Sequence, residues 1–265
     1  MKLFISADME GVCGVTNWDE VTSGKPLYPN VCRQMSLEIR AAIDGAREGG
    51  VDEIVVKDSH WNANNIDPDL LDYETRLIRG WAGSPEYMVH GLDNSFDCIA
   101  FIGYHSPASM FRNPLAHTCN SETVQKLTIN GKLASELVLG MYSAAYYGVP
   151  SIFISGDAGV CEHAKEYIPG IETVAVKDGG LGYTINVSPQ KAVAMIKEGI
   201  KKAVTRNIQV CKIDLPKHFS VEIEFKNSQS TQKAAHYPGA HVNNCTAFYS
   251  SDDFREAARF ITFVV

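Results

Sequence analysis

Near the amino terminus, an apolar run at residues 3–7 stops at two carboxylates, Asp8 and Glu10, with Gly11 directly behind them. A short apolar run bounded this sharply reads as a buried strand that delivers acid to a site. Residues two apart on a strand share a face, so Asp8 and Glu10 point the same way. Two buried carboxylates side by side repel unless a cation or a shared proton lies between them. A metal ion is the economical explanation; a solvated strand-to-loop corner is the plain alternative.

Strand-like runs alternate with helical patterns through most of the chain. Strands are expected at 3–7, 53–57, 98–103, 151–155 and 173–176, and helices at 31–48, 135–147 and 188–204. That alternation predicts an α/β fold, a mainly parallel sheet flanked by helices. Ser188 and Pro189 give the last of these helices its start, and Gly148 and Pro150 stop the middle one. Residues 106–123, with Pro107, Asn113, Pro114 and Asn120, show no period and read as a functional loop, a candidate lid. After Pro216 the pattern restarts as strand 221–225, helical piece 229–236, strand 245–249 and a terminal helix capped by Asp252. The expected organisation is an α/β domain at 1–215 with a small α+β subdomain at 216–265 packed on it.

Composition narrows the function. Apolar residues make up 45% and charged residues 21% of 265, which suits a globular protein rather than a disordered or fibrous one. No apolar run approaches the ~20 residues of a membrane helix, and the first one is too short for a secretory segment. A cytoplasmic chain is the expectation. Seven scattered cysteines without a Cys-x-x-Cys fit reduced thiols rather than disulfides or a zinc ribbon. A net charge of −7 without a basic run removes the electrostatic footprint of a nucleic-acid or membrane binder. The expected partner is a small molecule.

In open α/β sheets ligands collect at the carboxyl ends of the strands. Here those ends carry acid and histidine: Asp58-Ser59-His60 after the second strand, Tyr104-His105 after the next, and Gly156-Asp157 after a later one. Asp, Glu and His from several strand ends, without cysteine, is the ligand set of zinc, manganese or iron in an open catalytic site. Each residue also has an ordinary reading. His60 and His105 could be loop histidines, Glu136 could merely favour a helix start, and Asp157 could be a turn former. Asp58 could orient an imidazole ligand or sit in water. The convergence is what favours a metal centre.

Several of these segments resemble the zinc-dependent D-aminopeptidases, peptidase family M55. The pattern Ser-x-Asp-x-Glu-Gly stands as Ser6 to Gly11, Asp-Ser-His as Asp58 to His60, and Gly-Tyr-His as Gly103 to His105. Leu115-Ala116-His117 lies where the family keeps its catalytic histidine, and Ser135-Glu136-Leu137 matches the segment supplying the last metal ligand. The resemblance implies two zinc ions per subunit: one held by Asp8, Glu10 and His60, the other by Asp8, His105 and Glu136, with Asp8 bridging and His117 catalytic. It further implies hydrolysis of the amino-terminal residue of short peptides, D-residues included, and a ring-like homo-oligomer. Residues 119–126 and those beyond 216 resemble the family only loosely. Asp157 is a spare carboxylate that could receive a substrate amino group.

Two other readings compete. A binuclear metallophosphoesterase also sets Asp and His at strand ends, but its usual Asn-His-Asp and Gly-His-x-His elements are missing. A non-enzymatic binder of small peptides would use the acids to grip amino groups and would need no metal.

Overall fold

The opening apolar run becomes β1 (Lys2–Ala7), buried along nearly its whole length, in a computed structural model that describes residues 1–265. In chain order there follow β2 (Glu53–Asp58), β3 (Arg76–Ile78), β4 (Cys98–Tyr104), β5 (Val124–Ile129) and β6 (Lys132–Leu133). Then come β7 (Ser151–Asp157), β8 (Glu172–Gly179), β9 (Thr184–Asn186), β10 (Phe219–Phe225), β11 (His241–Asn243) and β12 (Thr246–Ser251). Seven strands form a sheet in the order β3-β2-β1-β4-β7-β8-β9, parallel throughout except for the antiparallel edge strand β9. Its central strands are buried on both faces, as the near-continuous apolar runs require.

The helices are α1 (Trp18–Val21), α2 (Tyr28–Glu48), α3 (Glu136–Tyr146), α4 (Ala158–Tyr167), α5 (Pro189–Thr205), α6 (Ser228–Ala234) and α7 (Phe254–Val264). Cross-strand partners share a face of the sheet, and the pairs Ala100–Phe153 and Phe101–Ile154 therefore mark opposite faces. Gly199 of α5 sits against the Phe153 ring and Gly140 of α3 against the Phe101 ring. Helices thus flank both faces. The sequence places strands and long helices to within a few residues, and Ser135 and Ser188 cap α3 and α5 through bonds to Val138 N and Lys191 N.

The α+β unit expected at 216–265 is joined by strands from much earlier in the chain. A second, wholly antiparallel sheet runs β11-β12-β10-β5-β6, so residues 124–133 complete it. Helix α3 serves both cores: Leu137 and Met141 pack with the parallel sheet, whereas Val138, Leu139 and Tyr142 pack with Phe219, Val221 and Phe254. Its first residue, Glu136, therefore lies at the seam.

Strand order reverses beside β1, whose neighbours β2 and β4 continue in opposite directions. A crevice at the carboxyl ends of strands follows from such a reversal. Two glycines let the chain turn tightly there. Gly103, at φ +71°, has no room for a side chain, because a Cβ would lie 2.3 Å from the Asp8 carbonyl oxygen. A Cβ on Gly11 would fall on the Tyr104 carbonyl, and Gly11 N–H instead donates to Gly103 O at 2.8 Å.

Candidate active site

The strand ends at this reversal bring the predicted residues together. Asp8 and Glu10 follow β1, His60 follows β2, His105 follows β4, Glu136 opens α3, and His117 comes from the loop between β4 and β5. Asp8, Glu10, His60, His105 and Glu136 are all buried. Their donor atoms fall into two groups, Asp8 with Glu10 and His60, and His105 with His117 and Glu136, each within 4.8 Å. Asp8 faces both. Its Oδ1 is 3.5 Å from His60 Nδ1, and its Oδ2 is 3.4 Å from His105 Nε2. Glu10 Oε2 stands 3.0 Å from His60 Nδ1, and Glu136 Oε2 3.0 Å from His105 Nε2.

Backbone carbonyls set the tautomers. His60 Nε2 lies 2.8 Å from Val21 O, His105 Nδ1 2.9 Å from Ser106 O and His117 Nδ1 2.9 Å from Leu115 O. A carbonyl only accepts, so in each ring that nitrogen carries the hydrogen. The opposite nitrogen of His60 and of His105 then aims a lone pair at two carboxylates. Such an arrangement calls for positive charge between the groups, as a proton on the ring or as a metal ion.

The titration shifts express the same demand. Burial, reinforced by Glu10, pushes Asp8 up to about 7. Burial works in that direction on Glu10 too, but the His60 ring holds it well below the carboxylate range. Against its own burial, His105 is raised to about 10 by Glu136, Asp8 and Glu10. Burial and the cationic His105 instead lower His117. Its ring stacks on that of His105, centroids 4.2 Å apart, with Trp18 edge-on at 5.4 Å. Its side chain is 12% exposed, against 6% for His60 and 1% for His105, so His117 is the most accessible of the three rings.

Metal binding can be tested on the residues themselves. Asp8 Oδ2 is a buried carboxylate oxygen without any hydrogen-bond partner, which costs free energy unless a cation meets it. Carboxylate oxygens and imidazole nitrogens with free lone pairs are the donors zinc takes. The site fits the ion.

Other residues fall into supporting positions. Asp58 is buried and accepts from Asn65 N (2.6 Å), Asn65 Nδ2 (2.7 Å) and Ile66 N (2.9 Å), while the same Asn65 amide donates to His60 O. It therefore braces the loop behind His60. Asp157 is not a spare carboxylate: it is fully buried, and its two oxygens accept four hydrogen bonds, from Ser106 N and Oγ, Asn113 Nδ2 and Val160 N. The last of these caps α4, a helix hidden in the sequence because Gly156-Asp157-Ala158-Gly159 looks like a turn.

Sequence reasoning missed the buried Lys177, whose Nζ donates to Glu10 O and to Val15 O, and the Cys119 N–H, which donates to Glu136 Oε1 at 2.6 Å. Neither has a sequence signal. Lys177 reads as the polar end of a strand, and a backbone donor has no residue type.

A family profile described as D-aminopeptidase, peptidase M55, matches residues 1–263. The D-aminopeptidase of Bacillus subtilis (strain 168) is 33% identical over 260 residues, spanning 97% of this chain and 94% of its own. Among solved structures, the "Zn-dependent D-aminopeptidase DppA from Bacillus subtilis, a self-compartmentalizing protease" superposes with a TM-score of 0.93. It is 32% identical and covers 98% of this chain and 95% of its own.

Proposed function

Since the chain belongs to the D-aminopeptidase family, peptidase M55, and is a metallo-aminopeptidase, we propose that it uses two zinc ions to remove the amino-terminal residue from short D-residue-containing peptides. Asp8, Glu10 and His60 hold one ion, and Asp8, His105 and Glu136 hold the other. The observation that carries this reading is the division of Asp8, one oxygen facing each group of donors. Zinc bound there supplies Lewis acidity, lowering the pKa of water toward neutrality and polarising a peptide carbonyl.

The protein's own groups do the rest. His117 Nδ1–H is spent on Leu115 O, which leaves Nε2 to take up or release the proton. Burial disfavours a charged ring, which leaves that nitrogen free to accept a proton from attacking water and return it to the departing amine. Glu136 Oε1, 3.5 Å from His117 Nε2, stabilises the ring while it holds that proton. Burial of the carboxylates strengthens each of these interactions over its value in water.

No helix is long and apolar enough to cross a membrane. The similar Bacillus subtilis enzyme is described as self-compartmentalizing, and a ring-like homo-oligomer enclosing the sites is part of the proposal for this chain.

The test is hydrolysis of D-alanyl and L-alanyl amides before and after dialysis against a chelator. Cleavage of the D-amide, lost on chelation and restored by zinc, is the expected result. Hydrolysis of a phosphate ester instead would point to the metallophosphoesterase. Peptide binding without either reaction would leave a binding protein.

A further inference from the structure

The buried Asp157 lies on β7, one strand beyond the metal ligands, yet its hydrogen bonds lead to three of the site's residues. Ser106 is the first carrier. Its N–H donates to Asp157 Oδ2 at 2.7 Å and its Oγ to Oδ1 at 2.5 Å, while its carbonyl accepts the His105 Nδ1 hydrogen at 2.9 Å. Asn113 is the second. One hydrogen of its Nδ2 goes to Asp157 Oδ2 at 2.9 Å, and the other to the Glu10 carbonyl at 3.1 Å. Asn113 Oδ1 then accepts Leu115 N–H at 3.0 Å, and Leu115 O accepts the His117 Nδ1 hydrogen at 2.9 Å. Ser106, Asn113 and Asp157 are all buried.

We propose that Asp157 is the positioning residue of this site, fixing His105, Glu10 and His117 relative to one another through Ser106 and Asn113. The chemistry of a carboxylate explains why this residue type is needed. Four donors converge on it, and an ionised carboxylate accepts on both oxygens. An amide of the same shape brings two hydrogens of its own and meets at least one of these donors head-on. Asn113 must in turn offer two hydrogens and an acceptor at once, which only a carboxamide does at that length. The 106–117 loop is thereby tied to the carboxyl ends of both β1 and β7. It is built as a framework for His117 and not as a free lid. Outer partners of metal-ligating histidines set ring orientation, and their loss costs about 10–100-fold in metal affinity or activity.

The inference rests on the zinc aminopeptidase reading, and the test separates the two. Asp157→Asn, Asn113→Ala and the double variant are compared with the wild type for D-alanyl amide kinetics, for zinc affinity by competition with a chelating dye, and for thermal unfolding. Each single variant is expected to lower kcat or zinc affinity about 10–100-fold, with KM moving less than about threefold. The double variant is expected to lose less than the product of the two single losses, because Asn113 is one of the two carriers through which Asp157 acts. Independent structural damage would multiply instead. Asn113→Ala leaves the cap of α4 intact, so it carries the test even if Asp157→Asn fails to fold. Wild-type kcat and zinc affinity in Asn113→Ala, or multiplying losses in the double variant, would overturn the inference. A wild type that neither binds zinc nor cleaves the amide would instead defeat the reading beneath it.

Discussion

The parallel and antiparallel sheets put their polar residues in different places, and the difference explains where chemistry can arise. Strand β10 of the antiparallel sheet alternates cleanly: Phe219, Val221, Ile223 and Phe225 point inward, and Glu222 and Glu224 point to water. Its acids are solvated along the whole strand and nothing gathers them. Strands β1 and β4 are covered on both faces, so a charge is excluded from their interiors and appears where the chain leaves the sheet. Parallel strands all leave at the same end. Asp8, Glu10, His60 and His105 are therefore brought together by the topology itself, whereas the antiparallel unit contributes only Glu136, from the helix the two cores share.

This contrast predicts that changes at the strand ends act on catalysis and changes in the antiparallel unit act on stability. The largest effect is expected from His117→Ala: kcat lower by about 10²–10⁴-fold, with zinc content and melting temperature unchanged. A parallel fall in zinc content would assign the ring a ligand's role. Next comes Phe260→Ala, which empties a buried position against Tyr237 and Tyr249. A loss of about 3–5 kcal/mol in denaturant unfolding is expected, while kcat per folded molecule stays near the wild-type value. A comparable fall in kcat would show that the two cores are coupled through α3.

Glu38→Gln sharpens the contrast from within the parallel half. Glu38 lies fully buried on α2 with Oε1 accepting from Cys13 N and Gln34 Nε2, and Oε2 without a partner. Burial raises its carboxyl to about 7. The folded protein thus binds a proton between about pH 4.5 and 7 that the unfolded chain has released. Stability from this group is fully present below the unfolded value and is lost as pH rises through about 7. The glutamine variant is expected to be more stable above pH 7, by on the order of 1–3 kcal/mol, and to lack that pH dependence in thermal melts. The smallest effect is expected at the exposed Arg76–Glu53 pair, 3.3 Å apart, where Arg76→Ala should change stability by less than about 1 kcal/mol.

Legibility in the sequence follows the same division. The central strands are readable because covering both faces leaves a continuous apolar run, and the long helices because their caps and stripes are local. Asp8, Glu10, His60 and His105 are readable because they follow such runs directly, whereas Glu136, at a helix start, and His117, in a loop, are marked by the resemblance alone. Strands β3, β9 and β11 have three residues each, too short to show a period, and β6 has two. Strand β5 was hidden for another reason: Val124 is buried but Gln125 and Lys126 are exposed, which breaks the alternation. The terminal helix is capped by Asp253, one residue beyond the expected Asp252, since either aspartate satisfies the local rule. The roles of Asp157, Asn113 and Lys177 depend on bonds across 44 to 167 positions of chain, and no local pattern records those.

The most direct measurement of the central claim is the number of zinc ions per chain in the purified wild type and in Asp8→Ala. Sharing of Asp8 between the two groups of donors predicts two in the wild type and loss of both, together with D-alanyl amide hydrolysis, in the variant. One ion in the wild type, or a variant that keeps two and remains active, would contradict it.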